Sequence, residues 1–233
     1  MKYIEVRNLR YKNIFKGVSF CLTEKWNSFY GNEKKDELIS ILLGNCDYEG
    51  YINIDGNFLN KNAIYNLKNK LYLVDRKSVS YFVGNNLYDE LLMTGNNKEL
   101  IDDYIINFRL SDYKFSKIDT IPFDKKIIVS ILYGILKKYK FIYLNNVLCF
   151  LEKEDIIAIY NLFIKNNIVV LNFTTNPDEL IFSSKVIMLK DFDELDVKSI
   201  NDIKIIDLCD RLINYGILDQ KYTSIEGVVS NLW

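Results

Sequence analysis

The chain has 233 residues, a formal net charge of −1, 49% hydrophobic and 26% charged residues, and no histidine. It therefore offers enough apolar material for a full core but no basic stripe for nucleic acid, and it lacks the commonest general base and metal ligand, which leaves carboxylates, Lys and Tyr for any catalysis. No apolar run reaches the ~20 residues of a membrane span. Glu5 and Arg7 interrupt any signal-peptide core, and Cys21, Cys46, Cys149 and Cys209, without CxxC spacing, read as small buried apolar groups in a reducing compartment.

Along the chain, Tyr3 to Arg7 alternates as a strand, Val18 to Leu22 is a second candidate, and Trp26 to Tyr30 a third that runs into Gly31. Asp36 to Leu43 reads as a helix with Leu38, Ile41 and Leu42 on one face, ending at Gly44. A strand, a tight Gly-opened loop and a helix form the frame in which phosphate is held at a helix N-terminus. Glu49 to Gly56 is a strand closed by Asp55-Gly56 turn chemistry, and Lys70 to Val74 another.

From Asn85 to Phe115 the periodicity is helical, with polar turns at Thr94 to Asn97 and Ser111-Asp112, which predicts a helical subdomain over about 77–120 inserted between strands. Lys125 to Lys138 is a helix with Ile128, Ile131, Leu132 and Leu136 inward. Phe141 to Leu144 is wholly apolar, as in a central parallel strand. Glu154 to Ile164 is helical, Ile168 to Phe173 and Val186 to Leu189 are strands, and Asn201 to Asn214 is a late amphipathic helix. Strands alternating with helices give an α/β fold with a mixed sheet, read as one domain over 1–233.

This order resembles the nucleotide-binding domain of ABC transporters over about residues 2 to 190. Ile4 to Tyr11 with Phe15 to Phe20 is similar to that family's first hairpin, and Gly44 with Asp47 to Gly56 to the stretch after its first helix. The resemblance implies a P-loop NTPase-like mixed sheet with flanking helices, an N-terminal antiparallel β subdomain and the helical subdomain. It leaves about 192–233 as an extension whose Trp233 is either a partner anchor or a core residue.

The family's functional residues do not carry over. Tyr11 lies where an aromatic stacks on adenine. Gly31 opens the phosphate loop, but no second Gly follows. Lys35 takes the family's lysine position only if the loop is two residues short, and an ungapped register puts Glu37 there. Asp36 or Glu37 replaces the hydroxyl that holds Mg²⁺. Asp75-Arg76 stands near the family's Gln, Ile121-Pro122-Phe123-Asp124 replaces its Leu-Ser-Gly-Gly signature, Asn145 and Asn146 replace the Asp and Glu after the second Walker strand, and Thr175 replaces its switch His. Two amides can neither hold Mg²⁺ nor abstract a proton as those carboxylates do.

The expectation is a chain with no catalytic residue, metal or cofactor. Asp36 is expected to cap the helix, stabilising it by about 0.5–2 kcal/mol, and Glu33, Asp36 and Glu37 to repel ATP phosphate at the helix start. Damage to both the phosphate loop and the signature position at Asp124 weakens a composite site shared with a competent partner too.

The resemblance then implies an inactive accessory subunit of a membrane transporter. It would lie on the inner face of the cell membrane and dock a transmembrane subunit, with or without a second ABC ATPase-like subunit in a homo- or heterodimer. Tyr81, Phe82 and Tyr88 are candidate contacts, with core packing as their alternative reading. A soluble regulator paired with a competent ATPase, and a divergent active ATPase using Lys35 and Glu37, are the alternatives.

Overall fold

The alternation of apolar side chains in the central strands builds the molecule around one sheet with a core on each face. In this computed structural model, which describes residues 2–60, 64–192 and 194–195, the six-stranded sheet has the order β10 (Glu194–Leu195), β9 (Lys185–Met188), β3 (Trp26–Tyr30), β8 (Val169–Thr174), β7 (Phe141–Asn145) and β6 (Leu71–Val74). The pairs β6/β7, β7/β8, β3/β8 and β3/β9 are parallel, and β10 runs antiparallel to β9 at the edge. Phe141, Tyr143, Leu171 and Phe173 point to one core, and Ile142, Leu144 and Val170 to the other. A parallel sheet covered on both faces requires such near-continuous apolar runs.

One face packs against α1 (Lys35–Leu42) and a four-stranded antiparallel sheet, order β2 (Phe15–Leu22), β1 (Ile4–Tyr11), β4 (Glu49–Ile54), β5 (Asn57–Phe58). Leu38, Ile41 and Leu42 of α1 are fully buried there, as their spacing predicts. Gly44, at φ +71°, ends this helix: a Cβ would come 2.1 Å from Ile64 Cδ1 in the short α2 (Ile64–Lys68). Asp55, in the turn after β4, pairs with Lys70 at 3.0 Å and with Lys140, tying the two sheets together at their base.

The other face carries α5 (Phe123–Leu136), α6 (Lys153–Lys165) and the inserted helical subdomain, built from α3 (Leu87–Leu92) and α4 (Lys98–Asn107). Both short helices are capped by side chains: Asn86 Oδ1 accepts from Asp89 N at 2.9 Å, and Asn97 Oδ1 from Leu100 N at 3.0 Å.

Several expectations shift. The first two strands extend to Tyr11 and back to Phe15, because a bulge between Arg7 and Arg10 breaks the alternation that marks a strand. Helix α5 starts at Phe123 with Pro122 as its N-cap. The free Cys149 is exposed and Cys21 and Cys46 are partly exposed, so the three are not the buried apolar groups expected. The late helix 201–214 and Trp233 lie outside the described residues.

Candidate functional site

Two strand ends and one helix start make the site. Gly31 leaves β3 at φ +120°, and its N–H donates to the Thr174 carbonyl at 3.0 Å. After the exposed Asn32 and Glu33, Lys34 turns left-handed at φ 60° and becomes the N-cap of α1, with no side-chain cap. Asp36 therefore does not cap the helix. The short loop places it already inside the first turn, where its side chain cannot reach back to the unpaired N–H groups that an N-cap serves. Its Oδ1 instead accepts from Asn145 Nδ2 at 3.4 Å. Lys34 reaches away from the helix start: its Nζ donates to the Lys190 carbonyl at 2.7 Å and lies 5.7 Å over the Phe192 ring.

Lys35, Asp36, Asp75, Arg76, Asn145 and Asn146 line one cavity of about 590 Å³. Lys35 is 7% exposed, and its ammonium has no ion pair or hydrogen bond among the described residues. The Arg76 guanidinium sits 4.7 Å over Phe150, and Asp75 closes its own turn by accepting from Ser78 N at 2.6 Å. Asn146 Oδ1 accepts from Thr175 N at 3.1 Å, binding the end of β7 to the end of β8. The cavity thus gathers cations that suit an anion, while at the end of β7 Asn146 ties in the loop after β8 and Asn145 touches α1 through Nδ2, its buried Oδ1 having no partner among the described residues.

Other predicted positions lie elsewhere. Tyr11 lines a separate cavity of about 630 Å³ with Arg10, Lys16 and Glu49, and the Lys12 ammonium covers its ring at 4.8 Å. Asp124 sits in the first turn of α5, 3.4 Å from Lys125, and does not line the cavity of Lys35. Glu37, the register alternative to Lys35, does not line it either.

A buried polar cluster behind the site escaped sequence reading. Asn172 of β8 donates from Nδ2 to Glu179 Oε2 at 3.1 Å, while Asn172 Oδ1 and Glu179 Oε1 have no partner. Ser28 and Ser183 share a 2.5 Å hydroxyl contact nearby in the same sheet region. Burial pushes the Glu179 carboxyl above its usual range, against the opposing pull of bonds from Asn172 and Thr174. The available signal was one Asn inside the apolar run Val169-Val170-Leu171-Asn172-Phe173.

In the helical subdomain, Tyr81 and Val83 are 77% and 78% exposed. Phe82 and Tyr88 are half-buried against the core instead. The segment that presents Tyr81 and Val83 is held from within: Glu90 Oε2, buried in α3, accepts from Val83 N at 2.8 Å and Gly84 N at 2.7 Å. A Cβ on Gly84 would lie 2.5 Å from the Glu90 backbone nitrogen, so this close approach needs glycine. Glu90 stands between Leu87 and Leu91 on the inward face, which is the signal that could have marked it.

No family model matches the chain. It is 25% identical over 211 residues to the energy-coupling factor transporter ATP-binding protein EcfA of Pediococcus pentosaceus, covering 81% of this chain and 75% of that protein. It is 24% identical over 212 residues to EcfA1 of Lactococcus lactis subsp. lactis, covering 81% and 76%. Among solved structures it is similar to cbiO1 from Clostridium perfringens, part of the ABC transporter complex cbiONQ, with a TM-score of 0.73 at 16% identity over 92% of this chain and 97% of that one. An ATP binding subunit of an ABC transporter gives a TM-score of 0.70 at 15% identity over 99% of both chains. With a parallel sheet, an antiparallel β subdomain and an inserted helical subdomain in the shared order, the chain has the P-loop fold of ABC-type nucleotide-binding domains and is similar in sequence to transporter ATP-binding proteins.

Proposed function

We propose that this chain is a catalytically inactive ABC-type ATPase domain that serves as an accessory subunit on the cytoplasmic face of a membrane transporter. The observation that carries the inactivity is the pair Asn145 and Asn146 at the end of β7. One amide bonds Asp36 and the other bonds Thr175, so neither is a carboxylate free to hold Mg²⁺ or take a proton from water. The loop supports the same reading, since no second Gly follows Gly31 and Glu33, Asp36 and Glu37 crowd the helix start. The transporter role is supported by the relatives, which are named as transporter ATP-binding proteins. It is supported too by the exposed Tyr81 and Val83 on a segment fixed by Glu90. No helix among the described residues is long and apolar enough to cross a membrane, so anchorage in this reading comes from a transmembrane partner.

The active-ATPase alternative has one observation in its favour, the buried and unpaired Lys35 in a cavity with Arg76. One experiment separates the readings. The tagged chain is expressed in its own cells and purified in mild detergent, and both its partners and its phosphate release from Mg-ATP are measured. A membrane protein in the complex with no release by the isolated chain is the expected result. Turnover by the isolated chain overturns inactivity, and a soluble ATPase as sole partner turns the role to regulator.

A further inference from the structure

Asp155, in the first turn of α6, is 4% exposed, a deep position for a carboxylate. It is held by cations from two other elements. Arg109, just past the end of α4, donates from Nη2 to Oδ1 at 2.7 Å, and Lys125, near the start of α5, brings Nζ to 3.7 Å from Oδ2. Glu152 adds a second carboxylate 3.6 Å from Arg109. Three elements thus converge on one acid: the end of the helical subdomain, the helix that follows it, and the helix that follows β7.

The backbone at Arg109 fixes where its side chain leaves the helix end. Arg109 has φ +55°, where its N–H donates to Ile106 O and the next N–H, of Leu110, to Ile105 O. These bonds close the C-terminus of α4 in the left-handed conformation that glycine takes freely and other residues take under strain. Lys138 and Asn167 close α5 and α6 with the same pair of bonds, at φ +59° and +58°. What sets Arg109 apart from those two is that its side chain reaches across to a buried carboxylate.

We propose that Arg109 and Asp155, with Lys125 as the second cation, form a latch that fixes the orientation of the helical subdomain on the core. Apolar packing between the two, through Phe108, Leu110 and Ile156 in one cluster, is non-directional and tolerates sliding. A charge-assisted hydrogen bond to a buried carboxylate has one geometry. Resting on the reading of an inactive subunit, the latch makes the chain a rigid adaptor: a subdomain that cannot turn relative to the core has no movement to deliver to a docked partner.

The test is amide hydrogen exchange by mass spectrometry on the full chain carrying Arg109→Gly, which keeps and relaxes the helix end while removing the guanidinium. Exchange across residues 98–120 is expected to rise about tenfold, with β7 and β8 unchanged, because a charged hydrogen bond is lost without opening the core. Arg109→Lys is expected to restore part of the protection, and Asp155→Asn to match or exceed the Gly variant. Exchange in Arg109→Gly that equals wild type, or that rises evenly over the whole chain, overturns the latch. Phosphate release is measured on the same samples. Turnover by the wild type would overturn the inactive reading while leaving the exchange result to judge the latch separately.

Discussion

The cavity between α1 and the ends of β6 and β7 and the loop at the head of the helical subdomain use their polar groups in opposite ways. In the cavity, groups that face solvent are consumed by one another: Asn145 bonds Asp36, Asn146 bonds Thr175, and Asp75 bonds its own turn. In the subdomain, the polar work is done inside by Glu90, and apolar side chains are left facing outward at Tyr81 and Val83. A site that acts on a ligand keeps polar groups uncommitted, and a surface that binds a partner keeps apolar area uncommitted. By that measure the cavity keeps cations such as Lys35 and Arg76 uncommitted but no carboxylate, while the subdomain holds an exposed apolar contact on a fixed segment.

Removing Glu90 should break this contrast most strongly. Glu90→Ala strands the Val83 and Gly84 N–H groups and is expected to cost about 2–4 kcal/mol, or about 4–16 °C in Tm for a chain of this size. Glu90→Gln keeps an acceptor oxygen and should recover most of that loss. Calorimetry gives the sum, and hydrogen exchange at residues 81–84 shows whether the loosening is local. A Glu90→Ala protein that melts like wild type would mean the segment is held by something else.

Next in size is Glu179→Gln, which probes the polar cluster beneath the cavity. The folded state raises the carboxyl of Glu179 through burial, so it holds its proton to higher pH than the unfolded chain does. Its contribution is therefore fully present below the ordinary carboxylate range and is lost as pH rises through the raised value. A glutamine cannot ionise, and its amide can pair reciprocally with Asn172, meeting the partnerless Asn172 Oδ1. The Gln variant should gain on wild type by a few degrees in Tm between about pH 4 and pH 7, with little difference at the acid end. A variant that loses stability at neutral pH would show that the charged carboxylate has a partner in solution.

Much of the frame could be read from residues alone, and the misses have physical causes. Phe141 to Leu144 announced its strand because a sheet buried on both faces favours near-continuous apolar runs. Gly31 and Gly44 marked the ends of the first loop and helix because both take positive φ. The cap at Asp36 was misplaced because capping depends on where the first helical residue falls, and loop length moved that point to Lys35. The short β5 and α2 carry too few residues to show a period. Glu90, Asn172 and Glu179 act through the tertiary placement of polar atoms on otherwise apolar faces, which a linear pattern registers only as exceptions.

A smaller effect is expected at Asn146. Asn146→Gly keeps the left-handed backbone at φ +50° and removes the acceptor for Thr175 N in a partly exposed position, for about 0.5–1.5 kcal/mol, visible as a lower denaturation midpoint in urea with an unchanged slope. In this reading the amide joins two loops and performs no chemistry, so phosphate release should stay at background in both proteins. Release by the wild type that disappears in the variant would make Asn146 part of a working site and erase the contrast with the subdomain.

The smallest effect on stability should come from the surface that matters most to the proposed role. Replacing Tyr81 and Val83 together by Ser removes two side chains that are mostly in solvent, and each change is expected to alter stability by less than about 0.5 kcal/mol. Glu90 still holds the segment, because its bonds run to the backbone N–H groups of Val83 and Gly84, which the substitution leaves in place. Recovery of a membrane partner in detergent should nonetheless fall steeply, since apolar side chains near the centre of a contact carry most of its energy. Glu90→Ala should lose the partner as well, but together with its stability, so the double Ser variant isolates binding from folding. Full recovery of the partner with the double Ser variant would place the docking surface elsewhere, and Phe115, 72% exposed on the same subdomain, would be the next residue to change.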